Sequence, residues 1–474
     1  MKHFDDNFAH NSLPSIDLQP TYLQGKYETE MLNCVERLLD VHIENGNGNA
    51  PCLRTFEETW TYQDLYEKAN QIAHVLIDDL GLHSGNRVLL RSANNPMMVA
   101  CWFAVLKAGG IVVATMPLLR SKELTTIIDC AEISIALCDK ELEEEMHLVK
   151  SNFLQKTCFY GNAQLEQLMA SKPKTFDNFH SKADSVALIG FTSGTTGLPK
   201  MTAHYHKDIL NICEAFPAYS LQPTSNDIFT GSPPIGFTFG LGGLVLFPMY
   251  FGASTFLIEK PTPDILLQAI QDHKITICFT APTAWRIITT KVKDYDISSL
   301  RKCVSAGETL PLKVWEDWYN ATGLKIIDGI GATEMLHIFI SSNEENMKPG
   351  ATGVAITSYE AKIIDANTGI EAIDEAIQSL YTTGYMHNHA RMYTASIVCN
   401  IGKAHWQQPS KWMYYHLLDG DIASNFCSWQ WVAGTGVDAP MFSRIMAPLS
   451  QSEKFDAGAY VRKWVPELAE LRDP

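Results

Sequence analysis

Two hydrophobic rhythms alternate along the chain from Thr61 onward. Residues 61–79 (TYQDLYEKANQIAHVLIDD) put Leu65, Ala69, Ile72, Val75 and Leu76 on one stripe at helical spacing, which predicts a helix. Residues 86–90 (NRVLL) read as a buried strand and 96–107 as a second helix. The segments 111–114 (IVVA) and 133–137 (ISIAL) repeat the strand signal, which returns at 186–190, 275–279 and 325–327. Helices alternating with fully apolar strands predict a mostly parallel sheet covered on both faces. The longest uncharged apolar run, 239–258, is broken by Gly240, Gly242, Gly243, Pro248 and Gly252, so it reads as a buried element rather than a membrane span. The rhythm stops after residue 365. Residues 375–399 and 410–418 read as helices, and the turn residues Asn367 and Gly369 mark a boundary near 369–375.

Composition sharpens this division. The length of 474 residues predicts two to four domains, and 46% hydrophobic with 19% charged residues excludes disorder as the main state. The net charge of −16 argues against nonspecific binding to nucleic acid or anionic membrane. That charge is uneven: residues 375–474 hold 8 basic and 9 acidic side chains, so the first 374 residues carry −15. The last hundred residues also hold five of the ten tryptophans. Eleven cysteines without a Cys-x-x-Cys pair, and a polar amino terminus (MKHFDDNFAH), predict reduced thiols in a cytoplasmic protein.

Candidate chemistry starts at residues 187–200 (ALIGFTSGTTGLPK). A short apolar strand runs into Thr192, Ser193, Gly194, Thr195, Thr196 and Gly197, and Lys200 follows. Glycines and small hydroxyl residues let backbone N–H groups converge on a phosphate, and the lysine adds charge. The spacing differs from Gly-x4-Gly-Lys-Ser/Thr, which excludes the common nucleotidase loop.

This stretch resembles the phosphate loop of the adenylate-forming superfamily of acyl- and aryl-CoA synthetases, adenylation domains and luciferases. Residues 305–311 (SAGETLP) are similar to the segment that lines the superfamily's adenine and acyl pocket, and 328–334 (DGIGATE) to its aromatic-Gly-x-Thr-Glu motif. The resemblance spans about 25–370 and implies an α/β domain of layered, mostly parallel sheets, taken as residues 1–370. It implies that Thr192–Gly197, Lys200, Gly307, Glu308, Asp328, Gly329 and Thr333 bind ATP, with Thr333 at the α-phosphate and Glu334 holding magnesium. Ile330 stands where the superfamily has an aromatic. The resemblance also implies CoA as co-substrate and a small carboxylic acid as substrate. The stretches 93–104 (ANNPMMVACWFA), 231–234 (GSPP) and 237–241 (FTFGL) look most like benzoate- and 2-aminobenzoate-CoA ligases. Phe237 and Phe239 then lie beside the acyl pocket, where a ring can stack on an aryl acid; core packing is the alternative. His204 and His206 read as packing or substrate-edge residues rather than as a metal pair.

The tail is similar to a different family. Residues 383–392 (TGYMHNHARM), 419–431 (DGDIASNFCSWQW), 434–438, 451–456 and 460–466 resemble the all-α flavin-binding domain of photolyases and cryptochromes. The resemblance covers about 375–474, within a second domain taken as 371–474. It implies FAD contacts from Asn388, Arg391, Asp419, Asp421 and Asn425, with Arg391 and Asp419 forming a charge pair. It also implies electron transfer through Trp406 and Trp429, and a substrate cavity, for nucleic acid, beside Trp431. For Trp412 and Trp464 core packing is the expectation. Three readings follow: an acid–CoA ligase-like adenylating enzyme, a photolyase-class flavoprotein, and a non-physiological join of the two. No Thr-Gly-Asp ribose clamp or lid lysine follows Asp365. Adenylation is therefore expected to be weakened, thioester formation to fail, and the flavin site, with its preceding helices replaced, to hold little FAD.

Overall fold

The computed structural model describes residues 4–15, 27, 31–161, 163–192 and 199–361. In the carboxyl-terminal part it describes 371–396, 398–399, 405, 407–417, 425 and 429. The chain divides into two compact units. One comprises residues 1–192 and 199–361, and the other 193–198 and 362–474.

The first unit contains fifteen strands: β1 (Pro51–Arg54), β2 (Thr59–Thr61), β3 (Arg87–Arg91), β4 (Ile111–Thr115), β5 (Ile135–Asp139), β6 (Lys156–Tyr160), β7 (Val186–Thr192), β8 (Lys200–Tyr205), β9 (Ile228–Gly231), β10 (Ser254–Phe256), β11 (Ile277–Thr280), β12 (Lys302–Ala306), β13 (Ile326–Gly331), β14 (Ile338–Ser341) and β15 (Val354–Ala355). They form a nine-stranded sheet in the order β15-β14-β13-β12-β11-β9-β10-β1-β2 and a six-stranded sheet in the order β6-β5-β3-β4-β7-β8. Pairing is parallel from β13 through to β1 and from β6 through to β7; the pairs β13–β14, β14–β15, β1–β2 and β7–β8 are antiparallel.

Side-chain alternation builds the layers. Val88 and Leu90 of β3 join a core with Val304 of β12, Phe279 of β11 and the helices Tyr62–His74, Pro96–Lys107 and His206–Phe216, which lie between the sheets. Leu89, one residue out of phase, faces the helix Ser121–Cys130 on the outer side of the small sheet. Cys303 and Cys278 likewise face the helices Pro263–His273, Pro282–Lys291 and Leu312–Thr322 outside the large sheet. The result is five alternating layers of helix and sheet. The helix Pro96–Lys107 is capped by Asn95, whose side chain accepts from the Met98 N–H at 3.0 Å, and starts on proline. It is buried on nearly every face, including Lys107, whose charge is matched by Asp40 at 2.7 Å.

The expected elements recur with shifted ends. The helix expected over 61–79 runs Tyr62–His74 and continues as a π-helical turn, Val75–Asp79. The apolar run 239–258 folds as short helical turns, Thr238–Leu241, Gly242–Leu246 and Phe247–Tyr250, before β10. Among the described residues no helix is long and apolar enough to cross a membrane.

In the second unit the described elements are the helices Glu371–Thr383, Asn388–Ser396 and Gln407–His416. Ile373, Ile377 and Leu380 form the buried stripe of the first. The single helix expected over 375–399 is therefore two. Gly384 adopts φ +69° and its N–H donates to Leu380 O at 2.9 Å, which closes the first helix in a left-handed cap.

Candidate nucleotide and acyl site

Strand β7 carries the apolar run up to Thr192, and β8 returns antiparallel from Lys200. Ser193, Gly194, Thr195, Thr196 and Gly197 lie outside the described residues; Thr192 and Lys200, directly opposite each other, are the two ends of that loop. A bulge between Val186 and Leu188 resets the alternation. Val186 and Tyr205 pack into the outer core, whereas Leu188 joins the core between the sheets. Because opposed residues share a face, the pairs Leu188–His204, Gly190–Thr202 and Thr192–Lys200 all lie on the inner side of the hairpin.

The turn bearing Thr333 and Glu334 comes from the other sheet. It leaves β13 as the 3-10 turn Thr333–Met335 and re-enters β14 through Leu336, a non-glycine residue held at φ +63°. A Cβ added to Gly190 would lie 2.7 Å from Thr333 Cγ2, so Thr333 packs directly on the inner face of β7. His204 is 4% exposed on this inner face, and burial drives its imidazole pKa down to about 4. Lys200 and Glu334 are exposed, and Thr333 is half-buried. The expected catalytic residues Lys200, Thr333 and Glu334 thus belong to one junction between the two sheets.

The remaining nucleotide candidates lie along the ends of β12 and β13. Gly307, at φ +88°, and Glu308 are exposed just beyond β12. Ser305 lies opposite Asp328, and Ala306 opposite Gly329. Asp328 accepts from the Thr352 hydroxyl at 2.9 Å through Oδ2, while buried Oδ1 has no partner; burial raises the carboxyl pKa. Ile330 is exposed.

On the acyl side, Phe237 is 42% exposed and Phe239 is partly buried against the central core. Phe239 also faces His337, a residue that the sequence alone did not single out. His337 is 2% exposed and ringed by Phe216, Phe239, Phe247 and Phe279 at centroid distances of 5.6, 5.6, 4.6 and 6.3 Å. Its one polar neighbour in this ring is the Phe239 backbone; neither ring nitrogen makes a well-formed hydrogen bond, and burial drives its pKa to about 3. Gly242 makes room for it, since a Cβ there would meet His337 Cδ2 at 2.3 Å. Asn94 ties the loop before Phe237 to the small sheet: its Nδ2 donates to Pro233 O at 3.0 Å and its Oδ1 accepts from Ile235 N at 2.8 Å. A histidine after Glu334 and an Asn-Asn-Pro stretch were the only sequence signals for these two residues.

Of the tail candidates, Trp406, Asp419, Asp421 and Trp431 lie outside the described residues, as does the side chain of Asn388, whose backbone begins a helix. Arg391 Nε donates to Met386 O at 2.6 Å, and its guanidinium lies over Tyr385. Asn425 Nδ2 donates to Ser410 O at 2.8 Å. Trp429 is 2% exposed. Trp412, expected in the core, donates to the Tyr381 hydroxyl at 3.1 Å and is only partly buried; Trp464 lies outside the described residues.

Comparison with known proteins gives two family matches. Residues 41–393 match the AMP-binding enzyme family, and residues 333–474 match the FAD binding domain of DNA photolyase. The chain is 28% identical over 345 residues to a benzoate–CoA ligase of Thauera aromatica, covering 71% of this chain and 65% of that protein. It is 27% identical over 325 residues to the mitochondrial acyl-coenzyme A synthetase ACSM3 of Homo sapiens, covering 66% of this chain and 56% of that protein. The chain therefore spans less than two thirds of the length of these relatives. Its fold matches the crystal structure of an anthranilate CoA ligase in complex with anthranoyl-AMP, with a TM-score of 0.67 and 29% identity, over 74% of this chain and 67% of that one. With three quarters of its length matched and the five-layered α/β fold shared, the chain belongs to the AMP-binding enzyme family.

Proposed function

We propose that the chain activates a small aryl carboxylic acid with ATP. The observation that carries this is the junction at which Thr333 packs on Gly190, putting Glu334 one residue from the inner face that also bears Lys200 and Thr192. An acid oxygen attacks the α-phosphorus in line, the new P–O bond forms, the bond to the β-phosphate oxygen breaks, and pyrophosphate leaves. Such chemistry asks the protein for positioning and electrostatics rather than a covalent partner. Lys200 and the loop 193–197 bind the leaving phosphates, the Thr333 hydroxyl contacts the α-phosphate, and the unpaired Oδ1 of Asp328 accepts from an amino group of the base. Gly307, Glu308 and Gly329 border the base.

Magnesium fits this site as a shared ligand. Among the described residues no cluster of three or more metal-ligating side chains exists, and Glu334 is an exposed carboxylate. A magnesium ion held by one or two carboxylates completes its shell with phosphates and water, and supplies charge neutralisation there.

An aryl acid is favoured over an aliphatic one by Phe237, Phe239 and His337, and by the benzoate and anthranilate ligases among the relatives. Transfer to CoA is expected to fail, because the sequence after Asp365 carries neither the ribose-clamping Thr-Gly-Asp nor a lid lysine in a recognisable motif. The ten described cysteines are free thiols, which suits the cytoplasm. The test is to trap the acyl-adenylate with hydroxylamine. Benzoate or 2-aminobenzoate should give a hydroxamate faster than butanoate, with no thioester when CoA is added. Equal rates for all three acids would overturn the aryl assignment, and a thioester would overturn the expected block.

A flavoprotein is the second reading, resting on the match over 333–474. Of its expected flavin contacts, Arg391 gives one N–H, at Nε, to Met386 O, and Asn425 one, at Nδ2, to Ser410 O. An intrinsic flavin spectrum in the purified protein would support it. A non-physiological join of the two families is tested by sequencing the genomic locus across codons 360–385.

A further inference from the structure

The turn that carries Thr333 and Glu334 ends in backbone that few side chains adopt. Leu336 stands at φ +63° and ψ −30°, and across it the His337 N–H donates to Met335 O at 2.8 Å. This is a γ-turn of the rare, strained kind. Among the described residues, the other non-glycine positions with positive φ are Glu132, Gln222, Lys274 and Ser358, all polar and at least partly exposed. Leu336 alone is apolar and buried, at 1% exposure. The core holds it from one side. Leu336, His337 and Ile338 are consecutive and buried, and all pack into the core between the sheets, His337 inside its ring of phenylalanines. Extended backbone sends successive side chains to opposite faces, so the chain must fold on itself at Leu336 to place all three there. Local bonds hold it from the other side: Met335 N donates to Ala332 O and Leu336 N to Thr333 O, both at 3.1 Å. Exposed Glu334 thus lies between Thr333, packed on Gly190, and the buried Leu336.

We propose that Leu336 is a positioning residue for acid activation: its buried side chain, held in the γ-turn, fixes where the Glu334 carboxylate stands relative to Thr333. The inference rests on the adenylation reading for its purpose and on the turn for its geometry. Strained backbone persists only where its surroundings over-determine it, and it gathers where a site needs one exact arrangement. Here the core fixes the side chain and the three turn bonds fix the path back to Glu334. Relaxation of residue 336 to negative φ would swing the preceding residues, and a misplacement near 1 Å costs about 100-fold in rate.

Bulk and conformation can be varied separately at this position. Leu336→Met keeps the buried volume and tolerates positive φ as leucine does; Leu336→Ile keeps the volume but, being β-branched, does not. Leu336→Gly and Leu336→Ala both lose the bulk, and only glycine holds the γ-turn without strain. Two readouts are taken on the full chain: hydrogen exchange of the peptide covering 333–338, and acid-dependent pyrophosphate exchange with Mg-ATP. Leu336→Met should stay within about threefold of the parent in both. In Leu336→Ile we expect kcat to fall about 100-fold and the magnesium concentration for half-maximal rate to rise about tenfold. Hydrogen exchange at 333–338 should rise about tenfold in the same variant, with protection elsewhere kept. Leu336→Gly should be more active than Leu336→Ala, the reverse of the order that burial alone would produce. Equal Met and Ile variants, an Ala variant more active than Gly, or a loss of protection spread over the whole unit overturns the proposal. If Leu336→Ile fails to fold, the order of Gly and Ala decides. A parent protein that shows no Mg-ATP-dependent chemistry would instead overturn the adenylation reading, and the hydrogen-exchange comparison would still judge the turn.

Discussion

Gly190→Ala tests the junction between the sheets with one methyl group. A Cβ at this position would lie 2.7 Å from Thr333 Cγ2 and 3.0 Å from Thr202 Oγ1. Ordinary carbon–carbon contact is about 3.7 Å, so one partner must retreat by about 1 Å. Strand β7 cannot yield, because it is paired with β4 on one side and β8 on the other. The Thr333–Met335 turn, already ending in a left-handed Leu336, is the part that moves. Overpacking of this kind costs about 1–3 kcal/mol, and a 1 Å displacement of Thr333 and Glu334 lowers kcat about 100-fold. Thr333→Ser removes the clashing methyl and keeps the hydroxyl, so the double variant Gly190→Ala, Thr333→Ser should recover much of both losses. Urea unfolding and pyrophosphate exchange on the four proteins of this cycle give the coupling. Gly190→Ala with full activity, or a double variant no better than the single, would refute direct packing of Thr333 on β7.

Gly242→Ala drives a methyl into His337, 2.3 Å from Cδ2; we expect a loss of about 1–3 kcal/mol and weaker aryl-acid binding with Mg-ATP affinity kept, read by urea unfolding and calorimetry. The pH dependence of stability follows from buried imidazoles, and His42 is lowered by burial in the same direction as the next three. His204 titrates at about 4, and His206 and His337 at about 3, each lowered first by burial from 6.5. Between those values and 6.5 the unfolded chain binds more protons, so their contribution is complete above pH 6.5 and is lost as the pH falls. From pH 7 to 5 each costs about 2 kcal/mol, together about 6, and a urea midpoint that does not move over this range would contradict their neutrality. Purified protein incubated with excess FAD and then desalted should be colourless; stoichiometric retained flavin would show that the residues 333–474 form a working cofactor site.

The parts of this fold that could be read in the sequence are those set by local pattern. Strands β3, β4 and β5 are short apolar runs between helices, and the helix Pro96–Lys107 opens on Asn-Pro, so neighbours a few residues apart specify them. The phosphate loop and residues 328–334 were visible because their chemistry is contiguous. His204 could be seen but not oriented, since its inward face is set by which side of β8 packs toward the other sheet, a tertiary fact. His337 depends on Gly242 and four phenylalanines from separate elements, and Asn94 meets Pro233 across 139 positions. Such contacts carry no local periodicity. Gly384 shows the opposite failure: the helical pattern runs through it, yet its left-handed φ ends one helix and starts a turn.

The exchange of radiolabelled pyrophosphate into ATP, with and without 2-aminobenzoate, tests acid activation at this junction most directly. It reads the reversible adenylation step alone and needs neither CoA nor flavin. We expect slow, magnesium-dependent exchange that appears only with the acid and is abolished by Lys200→Ala and by Glu334→Gln. Exchange that is absent from the parent protein, or that survives both substitutions, would contradict an adenylation site built from Lys200, Thr333 and Glu334.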